Sequence, residues 1–252
     1  MKFFLEITYN GASFYGWQIQ KKNISVQETI ENCLSFLLKK SIKIIGAGRT
    51  DTGVHAIQMF AHFDFYEKTI LLYRNLIFKL NSFLPLNIQI LNIFTVKKTI
   101  HARFTAISRV YEYRISLGKK TFYLDRSWQW LSKTKIKLNT LNKAAQILKR
   151  YKNYISFCKT NSNCNYKTCH IYNAKWYIKN NILYFNIEAN RYLRNMIRSI
   201  VGTIIELGIG KITIKDFINI FYAKDRNLAG ISAPAKGLFL TKINYPFNIL
   251  LY

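Results

Sequence analysis

The chain is poor in acid. Only 12 Asp and Glu stand against 38 Lys and Arg in 252 residues, a formal net charge of +26. A surface this basic gains affinity for polyanions by releasing their counterions, so nucleic acid is the expected partner, ahead of a membrane surface. The sequence is also rich in Lys, Ile and Asn, as AT-biased genomes produce, so the charge supports that reading without carrying it alone. Cysteine is scarce too, at positions 33, 158, 164 and 169. Four are too few for a secreted disulfide framework in a chain of this length, and reduced thiols are expected. Cys158, Cys164, Cys169 and His170 lie close in sequence, but with no Cys-x-x-Cys pair they read as residues of a polar loop, 159–168, and not as a zinc site.

Other absences narrow the field further. The four histidines, at 55, 62, 101 and 170, are scattered, and with acids so sparse no metal centre is expected. Neither Gly-x-Gly-x-x-Gly nor Gly-x-x-x-x-Gly-Lys-Ser/Thr occurs, so no nucleotide cofactor is expected. The apolar opening, Met1 to Leu5, is cut short by Glu6, Thr8 and Asn10 before a secretory segment could form. The run from Ile70 is interrupted by Arg74 and Asn75, far short of the roughly 20 residues of a membrane span. A cytoplasmic protein with no membrane partner is expected. Half of the residues are hydrophobic and 15% aromatic, enough to bury a sizeable core.

The periodicities give an ordered series of elements. Lys2 to Tyr9 alternates as a half-buried strand and Asn10-Gly11-Ala12-Ser13 turns the chain. Ser25 and Glu28 form a capping box ahead of Val26, Ile30, Leu34, Leu37 and Leu38 at helical spacing. Short strands are expected at Ile42 to Ile45 and Ile57 to Phe65, a helix at Thr69 to Phe83 stopped by Pro85, and a strand at Ile88 to Val96. A similar set follows: strand Ser108 to Leu117, helix Leu138 to Lys149, strands Ile171 to Ile178 and Ile182 to Ala189, helix Tyr192 to Leu207. A short helix capped by Thr213 and Asp216 and a last strand, Leu238 to Ile243, complete the order. This is an α+β pattern in two halves, 1–100 and 101–252, each with an antiparallel sheet, the sheets joined and a cleft on the face away from the helices.

Against this background the most informative stretch is Gly48-Arg49-Thr50-Asp51-Thr52-Gly53-Val54-His55-Ala56. It sets one acid in a basic, glycine-flanked loop between strands, and Asp51 is the candidate catalytic residue. Glu31 and Asp64 are its nearest acidic neighbours in sequence, so the two-carboxylate logic of glycoside hydrolysis cannot be assigned and a single-acid mechanism fits better. His55 reads as a hydrogen bonder that fixes the loop.

Several blocks then resemble, in order and over nearly the whole chain, the tRNA pseudouridine synthase A family. They are Tyr9-Asn10-Gly11 with Phe14-Tyr15-Gly16-Trp17-Gln18, Ser25-Val26-Gln27, the Arg49-Thr50-Asp51 loop, and His101-Ala102-Arg103-Phe104 leading to Arg109-Val110-Tyr111-Glu112-Tyr113. Met196 to Gly202, Ala223-Lys224-Asp225-Arg226 and Ala233-Pro234-Ala235-Lys236-Gly237-Leu238 complete the set. Asn10 and Asn87 stand where the family usually has Asp, and Ile231 replaces a common Thr. The resemblance implies a cofactor-free isomerase with the pseudouridine synthase fold, two ferredoxin-like halves meeting at a central cleft. It would be a homodimer acting on uridines 38 to 40 of the tRNA anticodon stem-loop.

It also implies roles. Asp51 acts on ribose or base, as a nucleophile or by abstracting a sugar proton, and sequence does not choose between these. Arg49 pairs with the nucleic acid or fills the space left by a flipped uridine. Arg198 pairs with the catalytic acid, and Tyr111 stacks on the target base and helps remove its C5 proton. Alternation puts Tyr111 and Tyr113 on one strand face, Val110 and Glu112 on the other. Arg191, Arg194, Lys224 and Arg226, interleaved with aromatics such as Tyr192, are the expected phosphate contacts. Two other readings compete: a non-catalytic RNA-binding protein on the same scaffold, and a nuclease or glycosidase, which needs metal ligands or a second acid.

Overall fold

The computed structural model describes residues 1–66, 73–160 and 168–250. The chain divides into two compact units, Met1–Arg109 with Phe239–Tyr252, and Val110–Leu238.

In the first unit the strands are β1 (Lys2–Tyr9), β2 (Ile45–Gly46), β3 (His55–Asp64), β4 (Ile88–Val96) and β9 (Leu238–Asn244, from Phe239 on). The sheet order is β4-β1-β3-β9, with β2 also pairing β3. Antiparallel registers such as Phe4↔His62 and Phe4↔Phe94 fix β1 at the centre. Phe3, Leu5, Ile7 and Tyr9 bury one face of β1. On the other face the Phe4 ring lies against Phe60, His62, Phe94 and Tyr245. Two helices belong to this unit, α1 (Val26–Leu38) and α2 (Tyr73–Phe83), and they pack on each other. The first four residues of the expected second helix, 69–72, lie outside the described residues. Ser25 caps α1 by accepting from the Glu28 N–H at 3.2 Å, while the return bond of the expected box is not formed. β9 joins β3 in parallel through His55↔Phe239 and Ala56↔Leu240, a departure from the purely antiparallel sheet expected.

The second unit holds β5 (Ser108–Leu117, from Val110 on), β8 (Ile182–Ala189) and β7 (Ile171–Lys179), neighbours in that order. Asn180 and Asn181, at φ +51° and +60°, make the two-residue turn of the β7–β8 hairpin, where both central residues must be left-handed. A short strand absent from the sequence reading, β6 (Trp128–Trp130), runs parallel to β5 with Ile115 opposite Trp128 and Leu117 opposite Trp130. The helices are α3 (Leu138–Leu148), α4 (Met196–Gly208) and α5 (Ile214–Ala223). Thr213 and Asp216 form the full capping box of α5. α4 begins four residues later than its apolar pattern suggests, because Asn195 at φ +65° is left-handed and cannot continue a helix backwards. Asn142 of α3 holds both main-chain groups of Trp176 on β7, at 3.0 and 2.9 Å. Among the described cysteines, Cys33 and Cys169 are free thiols, whereas Cys158 is disulfide-bonded, which corrects the expectation of reduced thiols throughout. Among the described residues no helix is long and apolar enough to cross a membrane.

Candidate active site

In the first unit the Asp51 loop is held from three directions by main chain. Thr50 is the keystone. Its carbonyl accepts the Trp17 N–H at 3.2 Å, and its hydroxyl meets the Tyr9 hydroxyl, buried, at 2.8 Å. Gly53, at φ +77°, donates its N–H to Phe14 O at 3.3 Å, and Val54 donates to Asp51 O at 3.1 Å. Gly48, the other flanking glycine, has no positive φ and open space around it, so only Gly53 is demanded by backbone geometry. The two glycines of the earlier block are demanded by proximity. A Cβ on Gly11 would lie 2.0 Å from Val54 O, and one on Gly16, itself at φ +87°, would lie 2.5 Å from Thr50 O.

The outer supports explain why the sequence blocks occur together. Ser-Val-Gln opens α1, and two of its otherwise unpartnered N–H groups serve the Gly-Trp-Gln segment: Val26 N–H donates to Gly16 O at 3.2 Å and Gln27 N–H to Trp17 O at 3.0 Å. The Gln27 side chain bonds Ile44 O at 3.1 Å, and buried Glu31 accepts from Ile44 N–H at 3.0 Å and from Lys43. Arg109 donates to Ala47 O at 2.9 Å, just before the loop. His55 behaves as expected: its Nδ1 accepts the Gly11 N–H at 3.2 Å and its ring stacks on Phe239 at 4.5 Å. Asn10, where the family usually has Asp, still accepts from Ala12 N–H at 3.1 Å, since an amide oxygen serves that turn as well as a carboxylate. Asp51 itself is half-buried and Arg49 exposed. Arg49 makes no hydrogen bond or ion pair among the described residues, which leaves its charge available to a ligand.

In the second unit, Tyr111 and Tyr113 share the buried face of β5. Tyr111 meets Tyr192 edge-on at 5.2 Å, and burial holds the Tyr192 hydroxyl well above the usual tyrosine range. Tyr113 donates to Pro234 O at 2.7 Å, and burial raises its hydroxyl far beyond any physiological titration, with the positive charge of Arg198 acting the other way. Arg198, on the first turn of α4, donates from Nε to Ala233 O at 2.7 Å, and the Ala233 N–H returns a bond to Arg198 O at 3.0 Å. Gly202, one turn further along α4, permits this close approach, because a Cβ there would lie 1.8 Å from Ile231 O. The Ala-Pro-Ala-Lys-Gly block is thus a clamp on Arg198 and Tyr113. That relation was not legible from spacing.

The expected phosphate contacts divide by environment. Arg194 and Lys224 are exposed and Arg191 half-buried. Arg226 is engaged in its own loop, donating to Ala229 O at 3.0 Å and to Ser232 Oγ at 3.1 Å. Burial lowers its affinity for its proton without threatening its charge.

A family model described as tRNA pseudouridine synthase matches residues 144–246. The chain is 46% identical over 245 residues to tRNA pseudouridine synthase A of Azobacteroides pseudotrichonymphae, covering 97% of each protein. It is 40% identical over 248 residues to that of Parabacteroides distasonis, covering 97% of this chain and 96% of the relative. Against that of Treponema denticola it is 36% identical over 251 residues, with 98% and 93% covered. The chain belongs to the tRNA pseudouridine synthase A family.

Proposed function

We propose that the uridines this tRNA isomerase converts to pseudouridine lie in the anticodon stem-loop, at positions 38 to 40, and that Asp51 is the catalytic residue. Uridine and pseudouridine are isomers. The C1′–N1 bond breaks, C1′–C5 forms, the C5 proton leaves and N1 gains one, so the balance needs no cofactor or energy source.

The observation that carries the assignment is the Arg49-Thr50-Asp51 loop, pinned by main-chain bonds from Trp17, Phe14 and Val54. A half-buried carboxylate on so constrained a loop is preorganised, as a group meeting a reacting atom must be. Asp51 adds to the ribose or takes a sugar proton. Tyr111 stacks on the base and assists loss of the C5 proton. Arg198, oriented by Ala233, is the arginine that serves the catalytic acid. Arg49 takes up the space or the charge of the flipped nucleotide, a step that costs a few kcal/mol. Arg191, Arg194, Lys224 and Arg226 contact phosphates, Arg226 through the loop it organises. We place the enzyme in the cytoplasm as a homodimer, which gives one tRNA a basic surface larger than one site requires.

The test is tritium release from unmodified tRNA labelled at uridine C5, without added metal or nucleotide, by the parent and by Asp51→Ala. Release by the parent alone, from intact RNA with label confined to positions 38 to 40, is expected. Binding without release by the parent would favour the RNA-binding reading. Strand cleavage or free uracil would favour a nuclease or glycosidase.

A further inference from the structure

Within the second unit, a cavity of about 600 Å³ opens at the end of β5 that lies away from Tyr111. Leu117 lies six positions beyond Tyr111, roughly 20 Å along the strand. The cavity therefore does not belong to the groups discussed above, and nothing in the reaction uses it. Its walls include Trp130, Leu131, Ile178 and Leu183. Leu131 and Ile178 are 70% and 48% exposed, unusual for large apolar side chains flanking one opening.

Two properties select the occupant. The first is charge. Lys119, Lys133 and Lys135 line the cavity and no acidic side chain does; all three lysines are exposed, and none has a hydrogen bond or ion pair among the described residues. The second is a fixed aromatic plate. Trp130 is held in place by its Nε1–H, which donates to Thr134 O at 3.2 Å, and by edge-on contact with Trp128 at 5.4 Å. An apolar slot with a rigid indole and a rim of unpaired ammonium groups suits a flat, apolar-faced body carrying negative charge. On an enzyme whose substrate is tRNA, that body is an unpaired nucleotide, its base against the indole and its phosphates on the lysines.

We propose that this cavity holds an unpaired nucleotide of the bound tRNA, distant from the uridine being isomerised, and so acts as a second anchoring point. The inference rests on the tRNA-isomerase reading above. The anchor contributes to binding and takes no part in bond making, so its loss falls on KM.

The experiment measures equilibrium binding of an unmodified tRNA transcript at several salt concentrations, with tritium-release kinetics, for the parent, Trp130→Ala, Trp130→Phe and the pair Lys133→Ala with Lys135→Ala. Loss of a stacked base weakens binding about 5- to 150-fold, so Trp130→Ala raises Kd and KM by that range with kcat kept, and Trp130→Phe stays close to the parent. The lysine pair lowers the slope of log K against log salt by about 1.4, the value for two phosphate contacts on single-stranded RNA. Parent-like affinity and slope in both Ala variants overturn the proposal. So does a loss of self-association in Trp130→Ala at unchanged tRNA affinity, which would make the cavity a contact between copies of this chain. If Trp130→Ala does not fold, the exposed lysine pair decides alone. A parent that binds tRNA without releasing tritium defeats the isomerase reading and leaves the binding comparison intact.

Discussion

Gly16→Ala tests the Asp51 loop most directly, because the perturbation is one methyl group with a known destination. At φ +87° an alanine is strained, and its Cβ would sit 2.5 Å from Thr50 O and 3.1 Å from the Asp51 carbonyl carbon. Relief requires Thr50 to retreat by about 0.9 Å, the gap to an ordinary contact of 3.4 Å, and Asp51 follows it in sequence. A misplacement near 1 Å costs about 100-fold in rate. Left-handed strain adds about 1 to 2 kcal/mol and overpacking about 1 to 3 kcal/mol of instability, together a fall in Tm of about 4 to 20 °C. Tritium-release kcat and thermal unfolding are measured side by side. Gly210→Ala is the control: it has φ +81° with nothing within 4 Å, so it carries the strain without the displacement and keeps its kcat. A Gly16→Ala enzyme as fast as the parent would refute the claim that this contact sets the position of Asp51.

Four further outcomes follow from the geometry. Tyr9→Phe leaves the buried Thr50 hydroxyl without its 2.8 Å partner and lowers unfolding free energy by about 1 to 3 kcal/mol in denaturant titration. Gly202→Ala drives a methyl group into Ile231 O, 1.8 Å away, and lowers the yield of folded protein and its Tm more than a buried Ala substitution ordinarily does. Arg226→Ala removes two bonds to its own loop and shows mainly as lost stability, whereas Arg194→Ala, at an exposed site, shows as a salt slope smaller by about 0.9 for tRNA binding. Burial, and then the charges of His101 and Lys2, lower His62 to about 4 from 6.5. Between those values the unfolded chain binds the proton that folded His62 refuses, so stability is full above pH 6.5 and falls as the pH drops toward 4. His62→Gln reduces the loss between pH 7 and pH 4.5 by roughly 2 to 3 kcal/mol, read by denaturant titration at the two pH values.

Much of the fold was legible because local signals agreed with tertiary demands. β1, β4, β5 and β8 have the bounds that period-two alternation gives, and Thr213 with Asp216 marked the start of α5. The discrepancies have local causes. α4 could not begin at Tyr192, since Asn195 is left-handed, and β6 is three residues, too short for a periodic signal. At the site, the residue types pointed to Asp51, but not to what holds it. Tyr9 reaches Thr50 across 41 positions, and Arg198 reaches Ala233 across 35. Such pairings are fixed by how elements pack and leave no mark on the neighbouring sequence. Tyr113 illustrates the same limit: alternation grouped it with Tyr111, but its bond to Pro234 O, 121 positions away, was not legible.

The pairing of β3 with β9 has a consequence for how the protein is made. His55, which holds Gly11 beside the Asp51 loop, stacks on Phe239, and that residue leaves the ribosome some 180 residues later. A nascent chain that has already displayed its basic residues therefore lacks the strand and ring that close the first unit. Domains generally fold as units during synthesis, yet this one must wait for β9, which follows the whole of the second unit in sequence. The support that Phe239 gives His55 beside the Asp51 loop is thereby deferred until β9 is made, and a translation product truncated before β9, however basic, is left without it.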